Sequence, residues 1–180
     1  MSFDEVWFRE INGWAGQYPF MDWFMFQCSQ ESNLLIPGVL AVGFWGWAKW
    51  GEAKFAAPCM ALLIGLSDLI GGQMKWLLGR ARPCQVLVHI HEMIGCGGTF
   101  SMPSNHAMNS STAVAFLVVL YPSLGWVLWP LMALIGLSRV YLGAHYVTDV
   151  LVGWAMGLVL GGGLALLLKT KVFSHRKKVD

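Results

Sequence analysis

Basic, histidine and hydroxyl side chains recur at three places in the chain, and together they could bind and transfer a phosphoryl group. They are Lys75 and Arg82, then Ser104 and His106, then Arg139, His145 and Asp149. Three cations and two histidines with a single acid favour a ligand that carries several anionic oxygens. Arginine guanidinium groups match phosphate oxygens bidentately, and lysine adds a point charge. The pattern therefore indicates a phosphate site.

Two histidines in this set could carry the reaction itself. His145 and Asp149 are four residues apart at the predicted start of a helix, so both should lie on one helix face. The carboxylate can then hold the imidazole in the tautomer whose other nitrogen is free to attack phosphorus. His106 is left as the general acid that protonates the departing oxygen. Ser104 precedes a predicted helix and can donate its hydroxyl beside free backbone N–H groups.

The composition shows where such a site must lie. Of the 180 residues, 56% are hydrophobic and 12% are charged, and the mean hydropathy is +0.56. A soluble domain carries about 25% charged residues, so this chain is predicted to be integral to a membrane. This excludes a nucleic-acid-binding protein. The acidic residues scattered through the first 32 positions also argue against a cleaved signal peptide.

The apolar pattern predicts an all-α, polytopic membrane helical bundle of one domain. About five transmembrane helices are expected, at residues 34–50, 55–78, 107–121, 124–141 and 147–168. Residues 1–32 are predicted to form interfacial helices, the first of them amphipathic, ahead of a membrane core at 33–168 and a basic tail at 169–180. Short connections at 51–54 and 122–123 make the flanking helices antiparallel neighbours. The loop at 81–103 is the one long connection.

The distribution of basic residues predicts the orientation, because Lys and Arg near helix ends are retained in the cytoplasm. Lys49, Lys54 and the tail fall on one face, which we assign to the cytoplasm of a cell inner membrane. The phosphate site falls on the opposite face, towards the periplasm or exterior. The cations of the phosphate site therefore lie on the non-cytoplasmic face, contrary to the positive-inside rule. This exception is consistent with a role in binding phosphate.

The spacing of the polar residues resembles a known family signature. Lys75 is followed after six residues by Arg82-Pro83, then comes Pro103-Ser104-Asn105-His106, and then Ser138-Arg139, five residues, His145, three residues and Asp149. This is similar to the three-part signature of the type 2 phosphatidic acid phosphatase superfamily. Asn105 stands where the family often has Gly or Ser. Members often have six spans, one more than expected here.

The resemblance implies hydrolysis of a lipid phosphate without a metal or other cofactor, through a phosphohistidine on His145. Asp149 would orient that ring and His106 would donate the proton. The phosphate-binding residues would be Lys75, Arg82, Ser104, Asn105 and Arg139. Membrane members act on phosphatidic acid, phosphatidylglycerophosphate, polyprenyl diphosphates or the lipid A 1-phosphate, so the expected partners are a lipid substrate and membrane lipids. The alternatives are a lipid phosphotransferase with the same intermediate and a non-catalytic lipid-binding or transport protein.

Several other residues have two possible interpretations. Arg80 could touch phosphate or anchor at the interface, and Asp68 could be a helix contact or a support for the cations. His89, His91 and Glu92 weakly resemble a metal cluster.

Glycines and cysteines add two further expectations. Gly153, Gly157 and Gly161 recur at four-residue spacing, which indicates close helix packing within the protein, with dimerisation as the alternative. Cys84 and Cys96 share the loop outside the cytoplasm, where they could form a disulfide or pack as small apolar residues.

Overall fold

The computed structural model describes residues 1–173, and the regular secondary structure in that part of the chain is helical. In chain order the helices are α1 (Phe3–Asn12), α2 (Pro19–Ser29), α3 (Glu31–Ala48), α4 (Trp50–Leu78), α5 (Pro83–Val86), α6 (Asn105–Leu120), α7 (Gly125–Tyr141) and α8 (Val147–Phe173), with a short 3-10 helix (Pro122–Leu124) before α7. The all-α prediction is therefore confirmed.

Helices α3, α4, α6, α7 and α8 lie where the apolar segments predicted them. Within residues 1–173, three stretches are long and apolar enough to cross a membrane: Trp50–Val86, Pro122–Tyr141 and Val147–Lys169. Helix α6 has 16 residues, which is about 24 Å of helix against a hydrocarbon core of about 30 Å. Its first turns carry polar residues that the site uses. A count of five spans stays a prediction.

The turn expected at residues 51–54 lies elsewhere. Helix α4 begins at Trp50, so those residues are helical, and the break falls at Lys49, whose backbone leaves the helical region. At the other end, α8 continues to Phe173, past the predicted boundary at 168. Residues 174–180 of the predicted basic tail lie outside the described residues.

Helices α6 and α8 form the centre of the bundle, and glycines on α8 allow their close approach. A Cβ atom at Gly153 would lie 2.7 Å from the Ser104 carbonyl oxygen, and one at Gly157 would lie 2.0 Å from Ser111 Oγ. Any side chain there would force the helices apart. The prediction of a glycine packing stripe within the protein is confirmed.

One face of helix α1 packs on the protein. Asp4, Phe8 and Asn12 recur at helical spacing on that face. Phe8 is fully buried and its ring lies edge-on to Tyr146, with centroids 5.6 Å apart. Trp7, on the other face, is 50% exposed. The N-terminal segment therefore covers the end of the bundle where α8 begins.

Candidate active site

The three groups of polar residues meet at one end of the bundle, as predicted. The Ser104 backbone N–H donates to the Asp149 carbonyl oxygen at 3.0 Å, which joins the start of α6 to the start of α8. Lys75, in the last turn of α4, donates from Nζ to the Pro103 carbonyl oxygen at 2.7 Å. These contacts bring the end of α4 and the starts of α6 and α8 together.

His145 lies between an acid and a guanidinium group. Its Nδ1 atom is 3.5 Å from Asp149 Oδ2, and its Nε2 atom is 3.4 Å from Arg82 Nη1. The expectation that His145 begins a helix is wrong, because α8 begins at Val147 and His145 lies in the loop after α7. The backbone bends so that the Tyr146 N–H donates to Asp149 Oδ2 at 2.8 Å. The pair still faces one another, although helix periodicity is not the reason.

The environment of His145 keeps its imidazole neutral. Burial lowers the pKa of His145 to about 4, the Arg82 guanidinium acts in the same direction, and Asp149 opposes both. A neutral imidazole retains a lone pair on one ring nitrogen, and that lone pair is what a nucleophile needs. Asp149 faces Nδ1, so Nε2 is the nitrogen positioned to react.

Arg82 is held by main-chain atoms of two other segments. Its Nε donates to the Gly98 carbonyl oxygen at 2.7 Å and its Nη1 to the Ala144 carbonyl oxygen at 3.1 Å. The side chain is 7% exposed. These bonds fix the guanidinium plane before a ligand binds. The side chain therefore loses little conformational entropy on binding.

The loop that carries Arg82 is closed by a disulfide bond between Cys84 and Cys96. Of the two possibilities for these cysteines, the structure therefore has the bridge. In the chain-entropy model, closing a loop of this length lowers the conformational entropy of the unfolded chain. The folded protein is stabilised by about 3 kcal/mol as a result. The bridge ties the Arg82-Pro83 segment to the glycines that precede Pro103, and so connects two of the three groups.

Ser104 is the N-cap residue of α6, but its side chain makes no capping bond. The side chain is fully buried, and its Oγ atom has no hydrogen-bond partner within residues 1–173. A buried hydroxyl without a partner costs about 1 to 3 kcal/mol. A phosphate oxygen at the start of α6 would remove that cost and would also face the free N–H groups of the helix.

Arg139 and Asn105, two further candidates for phosphate contact, have partners on neighbouring helices. Arg139 Nη1 donates to the Ser29 hydroxyl at the end of α2. Asn105 Nδ2 donates to Asp68 Oδ1 at 2.8 Å, and Asn109 Nδ2 reaches the same oxygen at 3.2 Å. Asp68 thus joins α4 to α6, which matches the helix-contact interpretation of that residue. The Asn105 amide nitrogen is engaged in the same contact.

Arg80 pairs with two acids, a contact that the sequence did not predict. Its Nη1 donates to Asp149 Oδ1 at 2.7 Å, and its Nη2 pairs with Asp4. Sequence reasoning also missed Ser101, a buried residue whose hydroxyl donates to Asp149 Oδ2. No spacing rule links these residues to Asp149, because they come from separate segments.

The residues of the weak metal motif, His89, His91 and Glu92, do not form a metal site within the described part of the chain. Among residues 1–173, no group of three or more His, Cys, Asp or Glu side chains is close enough together to hold a metal ion. The His91 main chain instead bonds Asn12: Nδ2 of Asn12 donates to the His91 carbonyl oxygen at 2.8 Å, and the His91 N–H donates to Asn12 Oδ1 at 2.9 Å.

Comparison with known proteins places residues 56–173 in one family. These residues match the model of the PAP2 superfamily. The chain is 26% identical over 162 residues to a lipid A 4'-phosphatase of Porphyromonas gingivalis, which covers 86% of this chain and 68% of the relative. It is 33% identical over 143 residues to phosphatidylglycerophosphatase B of Bacillus subtilis, which covers 72% of this chain and 65% of that protein.

A solved structure shows the same fold over most of the chain. The crystal structure of a transmembrane PAP2-type phosphatidylglycerolphosphate phosphatase from Bacillus subtilis superposes with a TM-score of 0.72 at 27% identity. The match covers 93% of this chain and 85% of that one. It extends beyond the family-model match into the N-terminal helices.

Proposed function

The chain belongs to the PAP2 superfamily, and from this premise we propose that it is an integral-membrane phosphatase that removes phosphate from a lipid through a phosphohistidine on His145. The single observation that carries the proposal is the placement of His145. This buried, neutral imidazole lies between Asp149 at Nδ1 and Arg82 at Nε2. That arrangement combines an oriented nucleophile with a cation where phosphate charge would lie.

In the first step, His145 Nε2 attacks phosphorus and the P–N bond forms as the P–O bond to the lipid breaks. The Asp149 carboxylate stabilises the imidazolium that results. His106, in the first turn of α6, gives its proton to the departing lipid oxygen. Arg82, Lys75 and the Ser104 hydroxyl stabilise the charge on the phosphoryl oxygens.

In the second step, water attacks the phosphorus of the phosphohistidine. His106, now neutral, takes a proton from that water, the P–N bond breaks, and inorganic phosphate leaves. The two steps restore both histidines, so neither is consumed. Arg139, in the last turn of α7, is the further cation that we expect to bind the phosphate.

The substrate we propose is the phosphate monoester or diphosphate of a membrane lipid. The apolar helices beside the site favour a substrate whose lipid part stays in the bilayer. The two relatives named above carry the names of phosphatases for lipid A and phosphatidylglycerophosphate, and polyprenyl diphosphate is the third lipid we expect the site to accept.

Phosphate release from a panel of lipids tests the function. Purified protein in detergent is incubated with phosphatidylglycerophosphate, a lipid A phosphate and undecaprenyl diphosphate, and free phosphate is measured with and without a second acceptor lipid. Release from at least one lipid without acceptor is the expected result. Phosphate that appears only on the acceptor would identify a phosphotransferase, and no transfer from any of the three would contradict the proposal.

We further propose that the protein lies in the cell inner membrane with its active site on the outer face and its C-terminus in the cytoplasm. Lys49 and Lys54 lie at the opposite end of α4 from Lys75, as the distribution of basic residues requires. The disulfide between Cys84 and Cys96 supports the same orientation, because such bonds persist in oxidising compartments.

Site-directed labelling tests the orientation. A cysteine introduced at the exposed residue Gln85 should react with a membrane-impermeant maleimide in intact cells. A cysteine at Lys171 should react after the inner membrane is opened. If both label in intact cells, the two positions share a face and the proposed orientation is wrong.

A further inference from the structure

Both oxygens of the Asp149 carboxylate accept hydrogen bonds. Oδ2 accepts from the Ser101 hydroxyl and, at 2.8 Å, from the Tyr146 N–H. Oδ1 accepts from Arg80 Nη1 at 2.7 Å. The Asp149 side chain is fully buried, so these contacts determine where the carboxylate lies relative to His145.

Arg80 is the cation among those donors, and it connects Asp149 to a second acid. Its Nη2 pairs with Asp4 of α1, and its Nη1 also donates to Thr148 Oγ1 at 2.6 Å. The guanidinium carbon lies 4.2 Å from the centroid of the Tyr146 ring. Besides its bond to Asp149, Arg80 is thus held from three directions, by Asp4, Thr148 and the Tyr146 ring.

Asp4 is also held by several contacts. It accepts the Thr148 N–H at 3.1 Å and also the Thr148 hydroxyl. Its side chain is 10% exposed. One turn further along α1, Phe8 packs on Tyr146, whose ring also faces Arg80. Asp4 precedes the family-matched residues 56–173, so nothing in the three-part signature accounts for it.

The charges explain why the second acid matters. A single guanidinium group beside the buried Asp149 carboxylate would be drawn to it bidentately. Asp4 competes for the other end of Arg80, so Arg80 gives one Nη to each acid. Oδ2 of Asp149 therefore remains directed at His145 rather than at Arg80.

We propose that Asp4 and Arg80 are positioning residues that align Asp149 with His145, and that α1 is consequently part of the catalytic apparatus. The inference rests on the proposed function. The contacts of Asp4 and Arg80 are with Asp149 and its neighbours Tyr146 and Thr148. Their loss should therefore slow the chemical step while substrate binding is retained.

The test compares kcat and KM for phosphate release by Asp4→Asn, Arg80→Gln and Arg80→Lys. We expect kcat to fall about tenfold for Asp4→Asn and about a hundredfold for Arg80→Gln, the range that small misplacements of catalytic groups produce. KM should stay within about twofold of the wild-type value. Arg80→Lys keeps the charge and should recover part of the activity lost in Arg80→Gln.

The matched control is Glu5→Gln. Glu5 is the next residue in α1 and forms its own ion pair with Arg9 at 3.1 Å, which does not reach Asp149. Glu5→Gln should keep the wild-type kcat. The double variant Asp4→Asn with Arg80→Gln should be no slower than Arg80→Gln alone, because both residues act through the same carboxylate.

Three results would overturn the inference. They are a wild-type kcat for Asp4→Asn, multiplied effects in the double variant, and losses confined to KM. If Asp4→Asn does not fold, Thr148→Val removes the hydroxyl shared by Asp4 and Arg80 and should lower kcat about threefold at unchanged KM. An unchanged kcat for Thr148→Val would then reject the inference. Failure of the wild-type protein and Glu5→Gln to release phosphate would instead reject the proposed function.

Discussion

Replacing His145 with alanine is expected to abolish phosphate release, with a loss in kcat on the order of 10⁴-fold or more. The reason is that alanine offers no nitrogen to form the P–N bond at the position of Nε2, which lies 3.4 Å from Arg82 Nη1. The measurement is phosphate release under saturating lipid, together with trapping of the phosphoenzyme from a radiolabelled substrate. His145→Ala should give no labelled protein.

His106→Ala should be as slow as His145→Ala on a lipid substrate but should differ in its dependence on the leaving group. A leaving oxygen of low pKa, as in an aryl phosphate, departs without a proton. His106→Ala should therefore regain activity on p-nitrophenyl phosphate, while His145→Ala should not. The double variant should be scarcely slower than either single one, because the two residues act as one unit.

His89→Ala is the control for these variants. His89 is an exposed histidine of the same loop region, and its replacement should leave kcat unchanged. A labelled phosphoenzyme from His145→Ala, or equal losses for both histidine variants on every leaving group, would contradict the assigned roles.

Asp149→Asn is expected to lower kcat by about 10³ to 10⁴-fold with little change in vanadate inhibition. Asparagine has the same shape, but its amide nitrogen accepts no hydrogen bond. Either the Arg80 bond to one oxygen or the Ser101 and Tyr146 bonds to the other are therefore lost. Asparagine also lacks the charge that stabilises the imidazolium of His145. As a phosphate analogue, vanadate is expected to bind the same cations, so its inhibition constant reports whether the rest of the site is intact.

Glu52→Gln is the matched control for Asp149→Asn. Glu52 is also a buried acid, and it accepts from Tyr121 Oη at 2.5 Å near the other end of α4. Neutralising it should lower thermal stability but leave kcat per folded enzyme within about twofold. Equal losses in kcat for the two variants would mean that Asp149 acts through stability alone.

Much of the fold could be predicted because a bilayer restricts what a backbone can do. Each spanning segment must satisfy its own hydrogen bonds as a helix, so apolar length alone located α4, α7 and α8. The close packing at the glycines of α8 could also be predicted, because four-residue spacing puts them on one helix face. The helix break at Lys49 could not be predicted, because the residues after it are compatible with both a turn and a helix.

The sequence by itself determined which residue types converge on the site, because motif spacing places Lys75, Arg82, Ser104, His106 and His145 near helix ends. Only the tertiary structure decided how those residues are supported. Asp4 and Arg80 are separated by 76 positions, and both reach Asp149 or its neighbours through contacts between α1, α8 and the loop after α4. Periodicity operates over a few residues of one helix, so it contains no information about contacts between distant segments. Such pairing depends on how the helices pack, and packing is a property of the assembled bundle.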